Sequence, residues 1–400
     1  MRICLTLAIL LTCQFAALAD GVNSKSLEEA KAALDQLVEE SKIAGGMHLV
    51  VRNGKRVHFH VAGVSDLDDK TPLKEDTILR IYSMSKPITS VAAMTLWEQD
   101  KFQLDDPVSK YIPAFKNTKV LVKEDGEEKL IAPKREITVR DVFRHTTGYS
   151  YGRGSTTAKY YKKEGMLYDP VYGMFPPKMT IAEGAEALAR IPANHHPGER
   201  FTYGFNTDLL GRLIEVWSGQ TLEQYMKQAV FDPLKMNDTA FALGDDKKSR
   251  FSSCHVFKDG KQIVCDKAAE SPFVGGFKFH SGGGGLVSTI GDYAKFCQMV
   301  VDGGKAGDRR VLKEATLKEM FTNQLKGLFQ FGLGFAIRNL KVGGGETPRQ
   351  VKGYFWGGYA STAFHIVPEE KMFQITMRQS IKSPNVLAQK VFSIIYTGLE

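Results

Sequence analysis

The stretch Ile81-Tyr82-Ser83-Met84-Ser85-Lys86-Pro87 decides how this chain is read, because it marks where a helix starts and what stands at its start. Proline is tolerated in a helix's first turn, where its missing N–H has no partner to lose. Val91, Ala92, Met94 and Leu96 carry a helical pattern beyond it, so the helix begins near residues 83–86. Ser83 then stands at the positive end of the helix dipole, which favours developing negative charge. Lys86 follows three residues later on the same face, its nitrogen within reach of the hydroxyl. A serine hydroxyl is a poor nucleophile until a base takes its proton. A lysine serves where burial and nearby cations make its neutral form accessible. Ser-x-x-Lys alone is a weak pattern, and its bland reading is a capping serine beside a solvated lysine.

Two further segments strengthen the chemical reading. Phe201-Thr202-Tyr203-Gly204-Phe205-Asn206 enters a helix that carries Leu209, Leu213 and Trp217 and ends at Ser218-Gly219. Tyr203 is a candidate proton carrier if a cation such as Lys86 stands beside it. Near the other end, Phe355-Trp356-Gly357-Gly358-Tyr359 precedes a strand pattern. Paired glycines at a strand edge let a substrate approach the backbone, so that the N–H of Tyr359 can face an oxyanion. The bland readings are a half-buried tyrosine and a Gly-Gly bulge.

Outward from these segments, strand signals lie at both ends and helices fill the middle. Residues 26–41 put Leu27, Ala30, Ala33, Leu34 and Leu37 on one helical face. Residues 47–51 and 57–61 read as strands around an Asn53-Gly54 turn. From Ser85 to about Ala240 the pattern is helical, punctuated at Asp105-Asp106-Pro107, Pro197-Gly198 and Ser218-Gly219. Strand signals return at 331–337, 353–355, 362–367 and 373–377, and a helix over 385–396 closes the chain. The expected fold is α/β of the α+β type: one antiparallel sheet from both termini, flanked by helices, with an inserted mostly helical domain. Residues 20–84 and 325–400 would form the discontinuous sheet domain, and 85–324 the insertion with its loops and a hairpin near 254–265.

Composition narrows the class. The 400 residues are 43% hydrophobic and 24% charged, which excludes a disordered or collagen-like chain. The net charge of +8 comes from Lys and Arg spread along the chain, so it calls for no nucleic acid. Arg2, an apolar run over 3–11 and Ala17-Leu18-Ala19 read as a secretory signal over residues 1–19. The run falls short of the ~20 apolar residues of a spanning helix, and no later segment supplies one. Export to the periplasm or the medium is therefore expected. Three cysteines remain beyond the signal. Asp259-Gly260 is a two-residue hairpin turn that sets Cys254 and Cys265 across from each other, open to a disulfide in an oxidising compartment. Against it, that register is a hydrogen-bonded pair, where side chains stand further apart.

Several features are set aside. Gly148-Tyr149-Ser150-Tyr151-Gly152 matches the Gly-x-Ser-x-Gly pattern, but loop-like sequence flanks it where strand and helix are required. His195-His196 lacks a metal-ligand spacing and reads as a solvated loop. Gly282 to Gly285 lacks the lysine of a phosphate loop and suits a tight turn near the site. Residues 149–177 interleave Tyr149, Tyr151, Tyr160, Tyr161, Tyr168, Tyr172 and Phe175 with Gly and Lys, as a surface loop or the wall of a cleft.

Taken together, the three segments resemble the serine β-lactamase-like superfamily, above all its esterases and acyltransferases. The resemblance runs from about residue 26 to the C-terminus. It includes Leu104-Asp105-Asp106-Pro107-Val108, the run from Thr138 to Gly148, Pro197-Gly198-Glu199 and the run from Gly282 to Asp292. It implies that Ser83 is the acylated nucleophile, Lys86 its base and Tyr203 the tyrosine that relays the proton. Trp356, Gly357 and Gly358 take the place of the third motif, and the N–H groups of Ser83 and Tyr359 would form the oxyanion hole. No metal or organic cofactor is implied. Two departures matter. Phe205 stands where the lactamase pattern has Asn, leaving Asn206 to cap the following helix. Trp356 stands where a Lys or His is usual, which removes a partner for a substrate carboxylate and offers apolar surface. Both favour neutral acyl esters over penicillins, and the expected partner is a small-molecule acyl ester or a cell-wall-type substrate. The expected function is a serine hydrolase cleaving carboxylic esters through an acyl-enzyme. The alternatives are a D-Ala-D-Ala carboxypeptidase or β-lactamase, and a non-catalytic envelope binding protein on the same scaffold.

Overall fold

Strands from the two ends of the chain meet in one sheet. The structure is a computed structural model that describes residues 18–167, 178–327, 329–344, 347–382 and 385–400. Of the expected leader, only Leu18–Ala19 falls among these, its backbone pairing with Val22–Asn23. The sheet strands are β1 (Gly45–Arg52), β2 (Lys55–Gly63), β3 (Gln330–Phe331), β4 (Ala336–Val342), β5 (Arg349–Gly357), β6 (Ala363–Val367) and β7 (Met372–Met377). They lie in the order β3-β4-β5-β6-β7-β1-β2, every neighbouring pair antiparallel. The chain's first sheet strand thus pairs with its last, Leu49 opposite Ile375.

The period-2 alternation of β1 sorts its side chains between two cores. Val50 joins α1 (Ser24–Glu39) and the C-terminal helix Val386–Thr397, which pack together on one face. Met47, Leu49 and Val51 join the larger core on the other face. That core surrounds α2 (Ser85–Trp97), buried on all sides from Ser85 to Leu96, and α3 (Asn206–Ser218), which packs against it. A helix enclosed all round accepts small residues and satisfied hydroxyls, as in its Ser-Val-Ala-Ala stretch, and Thr89 Oγ1 donates to the Gly282 carbonyl at 2.8 Å. Among the described residues no helix is long and apolar enough to cross a membrane.

Four local expectations are corrected. Residues 331–337 are not one strand but the end of β3, a turn and the start of β4. Gly334 has φ +97°, and a Cβ on Gly332 would meet the Met320 carbonyl oxygen at 2.0 Å, so the chain folds back there. The hairpin Cys254–Lys258/Lys261–Asp266 carries a bulge that sets Cys254 opposite Asp266 instead of Cys265, and both cysteines are free thiols. Cys265 Sγ instead donates to the Cys254 carbonyl at 3.3 Å. His195 is buried rather than solvated, bonding Thr202 Oγ1 at 2.7 Å through Nε2 and the His196 carbonyl at 2.8 Å through Nδ1. Asn206 is not the cap of α3 but its first residue. Its buried amide accepts from Thr147 Oγ1 at 2.5 Å and donates to the carbonyls of Tyr149 and Thr202, tying two loops together.

Candidate active site

Three segments that are remote in sequence converge on one cavity of about 550 Å³. Its walls include Ser83, Tyr151, Tyr203, Gly283, Trp356 and Tyr359. Ser83 lies in a single 3₁₀ turn, Tyr82–Met84, that leads into α2 at Ser85, so Pro87 falls in the helix's first turn. Tyr82 turns the chain with φ +42°, and its buried ring is held edge-on by Phe273 and Tyr359 at 6.0 and 5.7 Å. The end of β5 closes on this turn because Gly358 has no side chain. A Cβ there would meet the Ile81 carbonyl oxygen at 2.4 Å and Thr362 Oγ1 at 2.3 Å. The Gly358 N–H is spent on the Thr362 carbonyl at 2.8 Å, so it is not an oxyanion donor.

Lys86 is 1% exposed, and three oxygens surround its ammonium: the Gly283 carbonyl at 2.6 Å, Tyr151 Oη at 2.9 Å and Ser83 Oγ at 3.3 Å. Tyr203 meets the same nitrogen with its ring, whose centroid is 4.6 Å away. Among the described residues the Tyr203 hydroxyl makes no hydrogen bond. Trp356 lies 5.5 Å from the Tyr203 ring and 5.3 Å from Phe331, an aromatic wall where a cation was absent from the sequence pattern.

Behind Lys86 lies the buried Asp208, two residues into α3. Its Oδ1 accepts from Ser281 Oγ and from the Gly283 N–H at 3.1 Å. Burial pushes the Asp208 carboxyl above its ordinary range, while the charge of Lys86 and these hydrogen bonds pull against it. His145 packs its ring 5.2 Å from Tyr203, and burial, then the Lys86 charge, holds it well below its ordinary value, neutral. Among the described residues no group of His, Cys, Asp or Glu could hold a metal ion.

The expected residues Ser83, Tyr203, Trp356, Gly357 and Tyr359 therefore line one cavity; Lys86 lies beneath it, bonded to Ser83 and Gly283 of its wall, and Gly358 packs against Ile81. Tyr151, the Gly283 carbonyl and Asp208 were not foreseen in these places. Tyr151 was legible only as one aromatic in a loop of aromatics. Of that loop, Tyr149 and Tyr161 are core residues, and Tyr168, Tyr172 and Phe175 lie outside the described residues. The Gly282 to Gly285 run does form a tight turn, closed by the Gly285 N–H on the Ser281 carbonyl at 2.8 Å.

A family model described as Beta-lactamase matches residues 30–385. Esterase EstB of Burkholderia gladioli is 27% identical over 217 residues, covering 54% of this chain and 52% of its own length. Acyltransferase calJ of Penicillium decumbens is 27% identical over 328 residues, covering 78% of this chain and 74% of its own. Among solved structures, EstCE1, described as a hydrolase with promiscuous acyltransferase activity, aligns with a TM-score of 0.77 at 22% identity. That alignment covers 93% of this chain and 99% of the other, a likeness of fold.

Proposed function

The chain belongs to the β-lactamase family, as an enzyme of the serine hydrolase type with esterase and acyltransferase relatives, and within that family we propose that it hydrolyses carboxylic esters through an acyl-enzyme on Ser83. The observation that carries this reading is the buried Lys86 nitrogen 3.3 Å from Ser83 Oγ, beneath an aromatic-walled cavity that Ser83 lines. Ser83 Oγ attacks the ester carbonyl and its proton passes to the Lys86 amine. The N–H groups of Ser83 and Tyr359 hold the oxyanion. The alcohol leaves with a proton from the site, and water then releases the acid from Ser83. Tyr203, which lines the cavity with its ring centroid 4.6 Å from the Lys86 nitrogen, is the second proton-transfer group.

Preference for esters over β-lactams and cell-wall peptides rests on Trp356. An indole in the third motif offers stacking surface to a neutral acyl or alcohol group and no charge to a carboxylate. We infer export as well, from the charged, apolar and small-x-small pattern of residues 1–19.

The test is incubation with a p-nitrophenyl ester and a fluorophosphonate, for the wild type and Ser83→Ala, with nitrocefin and a D-Ala-D-Ala peptide in parallel. Ester turnover and labelling at Ser83, both abolished by Ser83→Ala, are expected. Absence of both in the wild type defeats the enzyme mechanism, and faster turnover of nitrocefin or the peptide reverses the ester preference.

A further inference from the structure

We propose that the buried Arg80–Asp266 ion pair is a positioning device for the oxyanion hole, an inference that rests on the acyl-enzyme reading above. The pair holds Tyr82 in its left-handed turn, and Tyr82 in turn sets the N–H groups of Ser83 and Tyr359.

The turn before the nucleophile is a backbone outlier. A bulky residue with positive φ persists only where its surroundings over-determine it. Tyr82 is such a residue, at φ +42°, and the peptide that follows it carries the Ser83 N–H. A change in the Tyr82 backbone therefore re-aims that N–H. The Tyr82 ring also lies edge-on to Tyr359 at 5.7 Å, whose N–H completes the hole. All three residues line the catalytic cavity.

Two paths lead from the ion pair to Tyr82. The first runs through the backbone. Arg80 lies two residues upstream and is buried, as is Asp266. Arg80 Nη1 donates to the Ser252 carbonyl at 2.6 Å, and its Nη2 stands 2.6 Å from Asp266 Oδ2. The side-chain amide of Gln379 holds the Arg80 backbone as a neighbouring strand would. It accepts from the Arg80 N–H at 3.1 Å and donates to the Arg80 carbonyl at 3.0 Å. The chain thus enters the turn from a fixed point.

The second path runs through the ring. Asp266 Oδ2 also accepts from Ser271 Oγ at 2.9 Å, and Ser271 caps the short turn Pro272–Gly275. That turn carries Phe273, whose ring stands edge-on to Tyr82 at 6.0 Å. The Arg80 guanidinium lies 5.5 Å from the Phe273 ring and 4.2 Å from that of Phe251. One carboxylate oxygen therefore ties together the approach to the turn and the ring that braces it.

Stability alone does not explain an ion pair in this place. Burying two charges costs desolvation that offsets much of their attraction, and well-packed apolar residues of similar size are often as stable. A guanidinium fork against a carboxylate fixes direction as well as distance. Neither Arg80 nor Asp266 lines the cavity, so both act through Tyr82.

The test compares a p-nitrophenyl ester with its thionoester, in which sulfur replaces the carbonyl oxygen. Sulfur accepts hydrogen bonds weakly, so a misdirected oxyanion hole slows the ester more, whereas a loosened fold slows both alike. The double variant Arg80→Met/Asp266→Leu removes both charges together and is expected to unfold in urea near the wild-type midpoint. Its kcat/KM should fall about 10²-fold on the ester and only about threefold on the thionoester. Ser271→Ala cuts the second path and leaves the ion pair in place; it should show the same selectivity, with a loss of about tenfold on the ester. Should the double variant fail to fold, Ser271→Ala decides by the same ratio. An ester-to-thionoester ratio unchanged from the wild type in either folded variant, whether or not both rates fall, overturns the proposal. Fluorophosphonate labelling of the wild type separates this failure from the wider one. An unlabelled Ser83 defeats the acyl-enzyme reading, whereas a labelled Ser83 with an unchanged ratio defeats the positioning role alone.

Discussion

The carbonyl oxygen of Gly283 accepts a hydrogen bond from Lys86 Nζ at 2.6 Å, while the N–H of the same residue donates to Asp208 Oδ1 at 3.1 Å. One glycine therefore stands between a buried cation and a buried carboxyl. It does so at close range, for a Cβ on Gly283 would meet Asp208 Oδ2 at 2.7 Å.

The link from Lys86 to Asp208 through Gly283 should be visible in stability. Removing one of two buried polar groups that share the Gly283 peptide leaves its hydrogen-bond partners unsatisfied, which costs about 1–3 kcal/mol. Lys86→Met is expected to destabilise the fold by that order and to abolish ester turnover. Adding Asp208→Asn removes the buried carboxyl and should recover at least half of the stability while activity stays lost. Urea unfolding of both single variants and the double variant measures the coupling. Additive effects, within about 0.5 kcal/mol, would show that the two groups are independent.

Trp356 sets the substrate's charge in this account. Trp356→Lys restores a cation to the third motif and removes the indole packed against Tyr203 and Phe331. Turnover of a neutral ester should fall about tenfold in kcat/KM, mostly through KM. An ester bearing a carboxylate on its acyl chain should gain relative to it. Comparing the two substrates in wild type and variant decides the matter; an unchanged ratio means that Trp356 does not select for charge.

A third expectation concerns acid. His48 lies on β1 under the terminal helices, its Nε2 3.2 Å from Gln374 Oε1 and its ring 4.9 Å from His58 on β2. Burial, followed by the neighbouring His58, lowers His48 to about 3, and burial followed by His60 lowers His58 to about 4. Both folded values lie below the unfolded one, so the folded chain keeps these rings neutral while the unfolded chain protonates them. The stability they permit is complete above about pH 6.5 and is lost as pH falls towards 4. The loss is about 1.4 kcal/mol per histidine for each pH unit. Urea unfolding between pH 7.5 and 4.5 should show this loss, and His48→Gln should remove one histidine's share of it, about 1.4 kcal/mol per pH unit. A variant with the wild-type slope would locate the acid sensitivity elsewhere.

The parts of the fold that were legible are those set by local rules. Asn53-Gly54 turns β1 into β2 because both residues take positive φ, +53° and +73°. The 331–337 segment was misread because its alternation survives across a turn, and the turn depends on Gly332 meeting the Met320 carbonyl. Asn206 was misread as a cap for a similar reason: its partners Thr147 and Tyr149 lie 59 and 57 residues away.

The sequence by itself determined where Ser83 and Lys86 stand relative to each other. Helix geometry sets an i, i+3 spacing without reference to the rest of the chain, and Pro87 confines the start of the helix. It also determined that Trp356 replaces a cation, since that is a matter of residue identity. Only the tertiary structure decided that two tyrosines meet at Lys86. Tyr151 and Tyr203 both precede glycines in loops, and Lys86 Nζ lies over both rings, with the Tyr151 hydroxyl at 2.9 Å. They meet there because Gly204 lets one loop settle closely on the other. No period or spacing encodes that meeting, because it is made by backbone contact between segments more than fifty residues apart.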